Sequence, residues 1–356
     1  LNNMRLALIT DTHWGTRSDS SHFHDYFEDF YTKQFFPELE KRNIDTVIHL
    51  GDIVDRRKYI NYVTLRKMKD IFVDVCEEKN INLHVIVGNH DVPFKNTNEV
   101  NSMNELFDGT HVKSYSEPTT LTFDGHDILL MPWINKQNYD VAIDAMDKTP
   151  AQVMFGHLEI AGCLMNVGMP NPHGMKVSDF DKFDLVCSGH FHHKSTTKNI
   201  EYLGCPYELT WADFNDAKGF HIYDTDTREI EFVRNPVSIF KKIFYSDDNK
   251  TVEEILDFDF DSYTNAYVKV IRQTNDNPYW FDLFMDKLYK TNPIHIQIVD
   301  DHLNLDLEAD DDIINEAEDT ITIMSNYINT MPDTIPKVKL DHLMRELYSE
   351  AIHMEV

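Results

Sequence analysis

Five short segments set carboxylate or amide oxygens beside imidazole nitrogens: Asp11-x-His13, Gly51-Asp52, Gly88-Asn89-His90-Asp91, Gly156-His157 and Gly189-His190-x-His192. Asp, Asn and His supply oxygen and nitrogen donors and no thiolate, a set that suits Mn²⁺, Mg²⁺, Fe or Zn²⁺ in open, water-bearing sites. Seven such ligands fill two metal positions if one carboxylate bridges, which is the two-metal clamp used in phosphoester hydrolysis. Any one cluster is a weak signal. Five of them in succession, four introduced by Gly, are not what coincidence supplies.

The elements that must position them are short β-rich runs. Arg5 to Thr10, Thr46 to Leu50, Leu83 to Val87, Gln152 to Phe155 and Leu185 to Cys187 each end where a cluster begins, and Asp127 to Met131 is a sixth run. In an open α/β sheet, sites form at the carboxyl ends of strands. Residues two apart in extended chain point the same way, so Asp11 and His13 are expected to converge. Helix-period segments, Phe23 to Asn43 and Val63 to Lys79, lie between the early runs and give the rhythm of an α/β layered domain over residues 4–225. After Thr225 the rhythm changes. Strand-like Glu229 to Arg234, Ile239 to Tyr245, Ala266 to Arg272 and Pro293 to Val299, with helical Val252 to Asp257 and Trp280 to Lys290, predict a small α/β capping domain over residues 226–305. An acidic linker, 306–312, leads to an amphipathic helix pair, 313–356, broken at Pro332 to Pro336. Leu340, Leu343, Met344, Leu347, Tyr348 and Ile352 recur at helical spacing and are read as a partner-binding face.

The 356 residues are 42% hydrophobic and 12% aromatic with only 12 Gly and 13 Pro, which excludes disordered and fibrous classes. The longest apolar run, Ile128 to Ile134, is far short of the roughly 20 residues that cross a bilayer, and no signal-peptide pattern opens the chain. A cytoplasmic protein with no membrane contact is expected. Leu1 to Asn3 precede Met4, which is read as the natural start. Cys76, Cys163, Cys187 and Cys205 show no C-x-x-C spacing and are expected to pack as free thiols. Charge poses a problem: 33 basic against 61 acidic residues give −28, which repels nucleic acid unless the field is inverted locally.

In order and spacing, the five clusters resemble the blocks of the calcineurin-like metallophosphoesterases, over residues 5 to 193. The resemblance implies an α/β/α two-sheet sandwich. It also implies one metal held by Asp11, His13, Asp52 and His192 and a second by Asp52, Asn89, His157 and His190, with Asp52 as the bridge. His90 becomes the catalytic, non-ligand histidine, with Asp91 orienting its ring, and a water acidified by both ions becomes the nucleophile. Tyr202-Leu203-Gly204-Cys205-Pro206, followed by Lys218-Gly219-Phe220, is similar to the segment after the last histidine block in nuclease subunits of the SbcCD and Mre/Rad repair complexes. Gly51-Asp52-Ile53-Val54-Asp55, the basic Arg56-Arg57-Lys58 and the C-terminal helix pair most resemble the recombination nucleases of T-even bacteriophages. Archaeal and eukaryotic relatives carry a His where Asp55 stands, and that His bears on duplex exonuclease action. The resemblance implies an Mn²⁺-dependent nuclease, with two Mn²⁺ or Mg²⁺ per chain, exonucleolytic on duplex DNA and endonucleolytic on single strands. Its expected partners are DNA, a second copy in a homodimer, and an SMC-like ABC-type ATPase with a coiled coil.

Two other readings compete. Gly51-Asp52-Ile53-Val54-Asp55-Arg56 also resembles a block of protein Ser/Thr phosphatases, but that family wants Arg before G-N-H and Glu after it, where this chain has Val87 and Asp91. A non-catalytic scaffold on a phosphoesterase fold is the other, and the full set of ligands speaks against it. Arg17, Arg56, Arg57, Lys58 and Lys194 follow the clusters and are the candidates for DNA contact. His22, His24, His49, His84 and His173 are read as structural or surface, although the loop Asn166 to Met175 around His173 is expected to lie over the site. Trp133 is read as a core residue ahead of a base-stacking platform.

Overall fold

In a computed structural model, residues 4–300 are described together with Ile328, Lys337, Lys339, Leu340, Leu343 and Met344. The first seven strands are β1 (Arg5–Ile9), β2 (Thr46–His49), β3 (Asn82–Ile86), β4 (Lys113–Tyr115), β5 (Thr119–Phe123), β6 (His126–Met131) and β7 (Val153–His157). The first sheet has six strands in the order Ile230–Arg234, Gly219–Asp224, β1, β2, β3, β4, and β1 to β4 run parallel. The second runs Ser195–Thr197, Ile200–Tyr202, Leu185–Gly189, β7, β6, β5, with β6, β7, Leu185–Gly189 and Ile200–Tyr202 parallel.

Side-chain alternation fixes how the sheets stack. Leu6 and Leu8 of β1, Ile48 of β2 and Ile86 of β3 pack against Ile128 and Leu130 of β6 and Val153 and Phe155 of β7. Their neighbours Ala7, Ile9, Val47 and Val85 turn the other way onto a helical layer carrying Phe27, Phe30, Phe35 and Phe72. On the far side of the second sheet, Leu129, Met131, Met154 and Val186 meet Ala142, Met146 and Phe180. Strands buried on both faces are why these runs read as nearly continuous apolar stretches. The outcome is the two-sheet sandwich expected.

Both expected helical segments form, and each is broken into three. Ser21–Phe30 passes through a π-turn at Tyr31–Phe35 into Phe36–Lys41, and Tyr62–Met68 passes through Lys69–Val73 into Asp74–Glu78. Hydrophobic period alone does not distinguish α from π turns, which the sequence reading therefore missed.

Three parallel strands, Phe240–Tyr245, Tyr267–Arg272 and His295–Asp300, make a third sheet with its own core of Ile243, Val268, Val270, Phe281, Phe284 and Leu288. The boundary expected at residue 226 needs correction, because Ile230–Arg234 pairs antiparallel with Gly219–Asp224 and so belongs to the first sheet. Leu1–Leu303 form one compact unit and Asn304–Val356 another. In the second, Leu340, Leu343 and Met344 are helical, whereas Leu347, Tyr348, Ile352 and the acidic linker lie outside the described residues. Among the described residues no helix is long and apolar enough to cross a membrane. All four cysteines are free and buried.

Candidate metal centre

Ligands arrive at the carboxyl ends of the parallel strands of both sheets. After β1 and β2 the two loops run side by side: Asp11 N donates to the Gly51 carbonyl at 3.0 Å, His13 N to that of Asp52 at 3.2 Å and Trp14 N to that of Ile53 at 2.9 Å. Asp11, His13 and Asp52 have left-handed backbone, with φ of 51°, 43° and 56°, and His190 stands at 89°. Asp, Asn and His are the non-glycine residues that tolerate this region best. The types that can ligate are thus also the types that can turn, and each turn still costs roughly 1–3 kcal/mol. Asp11 and His13 do converge, with Asp11 Oδ1 3.9 Å from His13 Nε2. Left-handed turning brings them together, and not the strand alternation expected.

Glycine at two positions is a matter of clearance. A Cβ on Gly88 would sit on the carboxylate and backbone nitrogen of Asp52, and one on Gly189 would strike Thr10 Oγ1 and Asp11 Oδ2. The strand ends pass too close for any side chain.

One group of donors is Asp11, His13 and His192, in which the Nε2 atoms of His13 and His192 are 3.0 Å apart. The other joins Asp52, His157 and His190 with Asn89: Asn89 Oδ1 is 2.8 Å from His157 Nε2 and 2.8 Å from His190 Nδ1. Asp52 Oδ2 lies 3.2 Å from His157 Nε2 and 4.0 Å from His13 Nε2, the place of a bridge between the groups. His157 Nδ1 is 2.8 Å from the Leu50 carbonyl, so it carries a proton there and Nε2 turns toward Asp52 and Asn89. The Asn89 side-chain amide meets His157 and His190 at one of its terminal atoms and Arg57 Nη2 at the other, 3.1 Å away. Two groups of oxygen and nitrogen donors that share one carboxylate are what a pair of divalent cations takes. The donor set fits two metals.

Electrostatics point the same way. Burial opposes charge on His157, yet the adjoining Asp52 carboxylate carries it up to about 9. Burial would raise Asp52, but His157 and His90 hold it well below the usual carboxylate range. Burial pushes Asp11 up to about 7, and burial with His90 nearby takes His13 down to about 3. A proton shared between Asp52 and His157 occupies the position suited to a cation.

His90 is placed beside this centre, its ring edge-on to that of His13 at 4.9 Å between centroids. Its orientation corrects the expectation. His90 Nδ1 donates to the Asp55 carbonyl at 2.5 Å. The Asp91 carboxylate instead accepts from the backbone N–H groups of Gly88 (2.8 Å), Asp52 (2.8 Å), Ile53 (3.1 Å) and Val54 (3.4 Å). Asp91 binds the loops after β2 and β3 together, and Asp55 orients the ring.

The five cationic candidates separate. Arg57 reaches the Asn89 amide. Arg56 is held by Asp19 at 2.6 Å, and Arg17 donates through Nε to the Leu209 carbonyl at 3.1 Å. Lys194 lies over the Phe232 ring and Lys58 is exposed. Three features were not read as part of the site. Buried Lys218 donates to the His192 carbonyl at 2.7 Å and pairs with Asp213 and Asp216, which fixes the loop carrying His192. Trp133 packs on His190, and a group of buried asparagines holds it. Only the Lys218-Gly219 resemblance could have flagged the first, and the asparagines carry no local signal.

Residues 4–194 match the calcineurin-like phosphoesterase family. The chain is 32% identical to Exonuclease subunit 1 of Enterobacteria phage T4 over 98% of its own length and 99% of that protein's. Among solved structures, a dimetal phosphatase from Danio rerio aligns with 67% of this chain and 98% of its own at 12% identity and a TM-score of 0.42. An archaeal phosphodiesterase aligns with 65% of this chain and 100% of its own at 13% identity and a TM-score of 0.32.

Proposed function

The chain belongs to the calcineurin-like phosphoesterases, and on that footing we propose that it is the nuclease subunit of a DNA-processing complex. Near-full-length similarity to an exonuclease subunit carries the reading from phosphoester to DNA phosphodiester. Asp11, His13, Asp52 and His192 would hold one ion, and Asp52, Asn89, His157 and His190 the other. Two Mn²⁺ ions there would neutralise the scissile phosphate and make water a competent nucleophile at neutral pH.

The protein's own groups do the rest. Asp91 and the closely passing strand ends fix the donors before substrate arrives, so little reorganisation is needed during reaction. The Asp55 carbonyl accepts the hydrogen bond of His90 Nδ1–H, which leaves proton donation to the departing oxygen to Nε2. Arg57, beside Asn89, adds a cation where phosphate oxygens gather. The third sheet is read as a cap that restricts which DNA reaches the centre. The second unit, with Leu340, Leu343 and Met344, is read as the handle for an SMC-like ABC-type ATPase, in a complex built on a homodimer.

The test is an assay of the purified chain on labelled duplex DNA, single-stranded DNA and a phosphopeptide, each with Mn²⁺, with Mg²⁺ and with chelator. DNA cleavage supported by Mn²⁺, with the phosphopeptide untouched, is the expected result. Phosphopeptide turnover without DNA cleavage would overturn it in favour of a phosphatase.

A further inference from the structure

Trp133 is in none of the four apolar cores of the described residues, although Met131 and Ile134 on either side of it pack into that of the second sheet. Its half-buried indole lies against the metal ligands, 5.2 Å between ring centroids from His190 and 6.2 Å from His157. The backbone is clamped on both polar groups. Trp133 N donates to the Val87 carbonyl at 2.8 Å, one residue before Gly88-Asn89. The Trp133 carbonyl accepts from Asn98 Nδ2 at 2.9 Å and Asn138 Nδ2 at 3.0 Å. Asn135 joins the pair, donating through Nδ2 to Asn98 Oδ1 at 2.9 Å and through its backbone N to Asn138 Oδ1 at 2.7 Å. The indole N–H points to the Lys95 carbonyl at 3.5 Å, and Phe94, next to Lys95, is 60% exposed.

Burying three asparagine side chains is costly unless every amide is satisfied, and here the satisfied amides hold one aromatic residue at a fixed height beside the ligands. Packing alone does not call for that. We propose that Trp133 is a nucleobase-stacking subsite, which takes the base of the nucleotide whose phosphate lies at the His157 and His190 ligands. One sugar separates a base from its phosphate, so a ring packed on those ligands is within its reach. Stacking tolerates every base because each has a π-face. It also bears on the charge problem: a chain of net charge −28, with Arg56 and Arg17 already engaged, gains affinity for DNA through a contact that needs no positive field.

The inference rests on DNA being the substrate. Its test compares wild type, Trp133→Ala and Trp133→Phe, each loaded with Mn²⁺. Cleavage kinetics are followed on a single-stranded oligonucleotide and on the same oligonucleotide carrying abasic sites, with bound Mn²⁺ counted by elemental analysis. Trp133→Ala should raise KM on intact DNA about tenfold or more while keeping kcat and two bound ions. Trp133→Phe should lose much less. Wild type on abasic DNA should fall to the level of Trp133→Ala, which should no longer tell the two substrates apart. This arm needs no variant to fold. An unchanged KM in Trp133→Ala, or equal wild-type KM on both substrates, overturns the subsite while leaving the nuclease reading intact. Loss of Mn²⁺ with equal loss on both substrates makes the ring a packing support and overturns it as well. A wild-type chain that does not cut DNA overturns both readings.

Discussion

At the scale of single residues, the proposed chemistry separates groups that hold charge from groups that move protons. His90 is bound through Nδ1 to a backbone carbonyl and belongs to neither donor group, so His90→Asn should abolish turnover and leave both ions in place. Asp52→Ala, which removes the shared oxygen, should lose both. Anomalous scattering from Mn²⁺-soaked crystals of each variant reads this directly, and metal loss in the His90 variant would remove it from the chemistry. His157 makes a pH prediction. Metal-free, its imidazole is protonated up to about 9, and a metal must displace that proton. Apparent Mn²⁺ affinity should therefore rise with pH, by about tenfold per unit through the neutral range. Calorimetry in buffers of different ionisation enthalpy should find protons released on binding below pH 9. For folding of the metal-free chain the sign is opposite. A raised pKa contributes stability that is whole below the ordinary histidine value and is lost as pH climbs through about 9. That these candidate donors would gather was legible because type and order suffice to mark them. Partners that act through backbone atoms were not: the Asp55 carbonyl has no side-chain signature, and Asp91 was assigned to the wrong neighbour for the same reason.

At the scale of elements, strand positions follow from apolar runs ending in polar clusters, and each expected run matches an observed strand to within two residues at either end, whereas Thr119–Phe123 and Gly219–Asp224 matched no expected run. The least legible elements were Lys113–Tyr115, Ser195–Thr197 and Ile200–Tyr202, three-residue strands too short to show a period. The domain boundary went astray because Ile230–Arg234 is half exposed and alternates like an edge strand of any sheet. What joins the elements at the centre is Asp91. In Asp91→Asn one oxygen becomes a donor facing backbone N–H groups, so two of the buried N–H groups bonded to Asp91 lose their acceptor. The loss should be about 3 kcal/mol, or roughly 4 °C in Tm for a chain of this size, with weaker binding at the Asn89 site. A thermal melt paired with a metal titration checks both, and an unchanged melt would show that the loops after β2 and β3 hold together without it.

For the whole molecule, a net charge of −28 attracts cations more readily than a polyanion, so metal is expected to load before a nucleic-acid substrate. The interior is divided among separate apolar cores, one between the sheets and one on each outer face, with another under the third sheet. The donors of the Asn89 site do not respect that division. Asp52 and Asn89 hang from the first sheet, His157 and His190 from the second. An ion there is a rivet through two plates that otherwise adhere by apolar contact and a few hydrogen bonds, such as that from Trp133 N to the Val87 carbonyl. Mass action then adds about 2.7 kcal/mol to the chain's stability when Mn²⁺ stands at a hundred times its Kd. Chelation should be felt as mechanical loosening, with faster amide exchange along β7 and Leu185–Gly189 than in the third sheet, which the rivet does not cross. Nuclease competence and the fastening of the two plates would then be lost together whenever the ions are withdrawn.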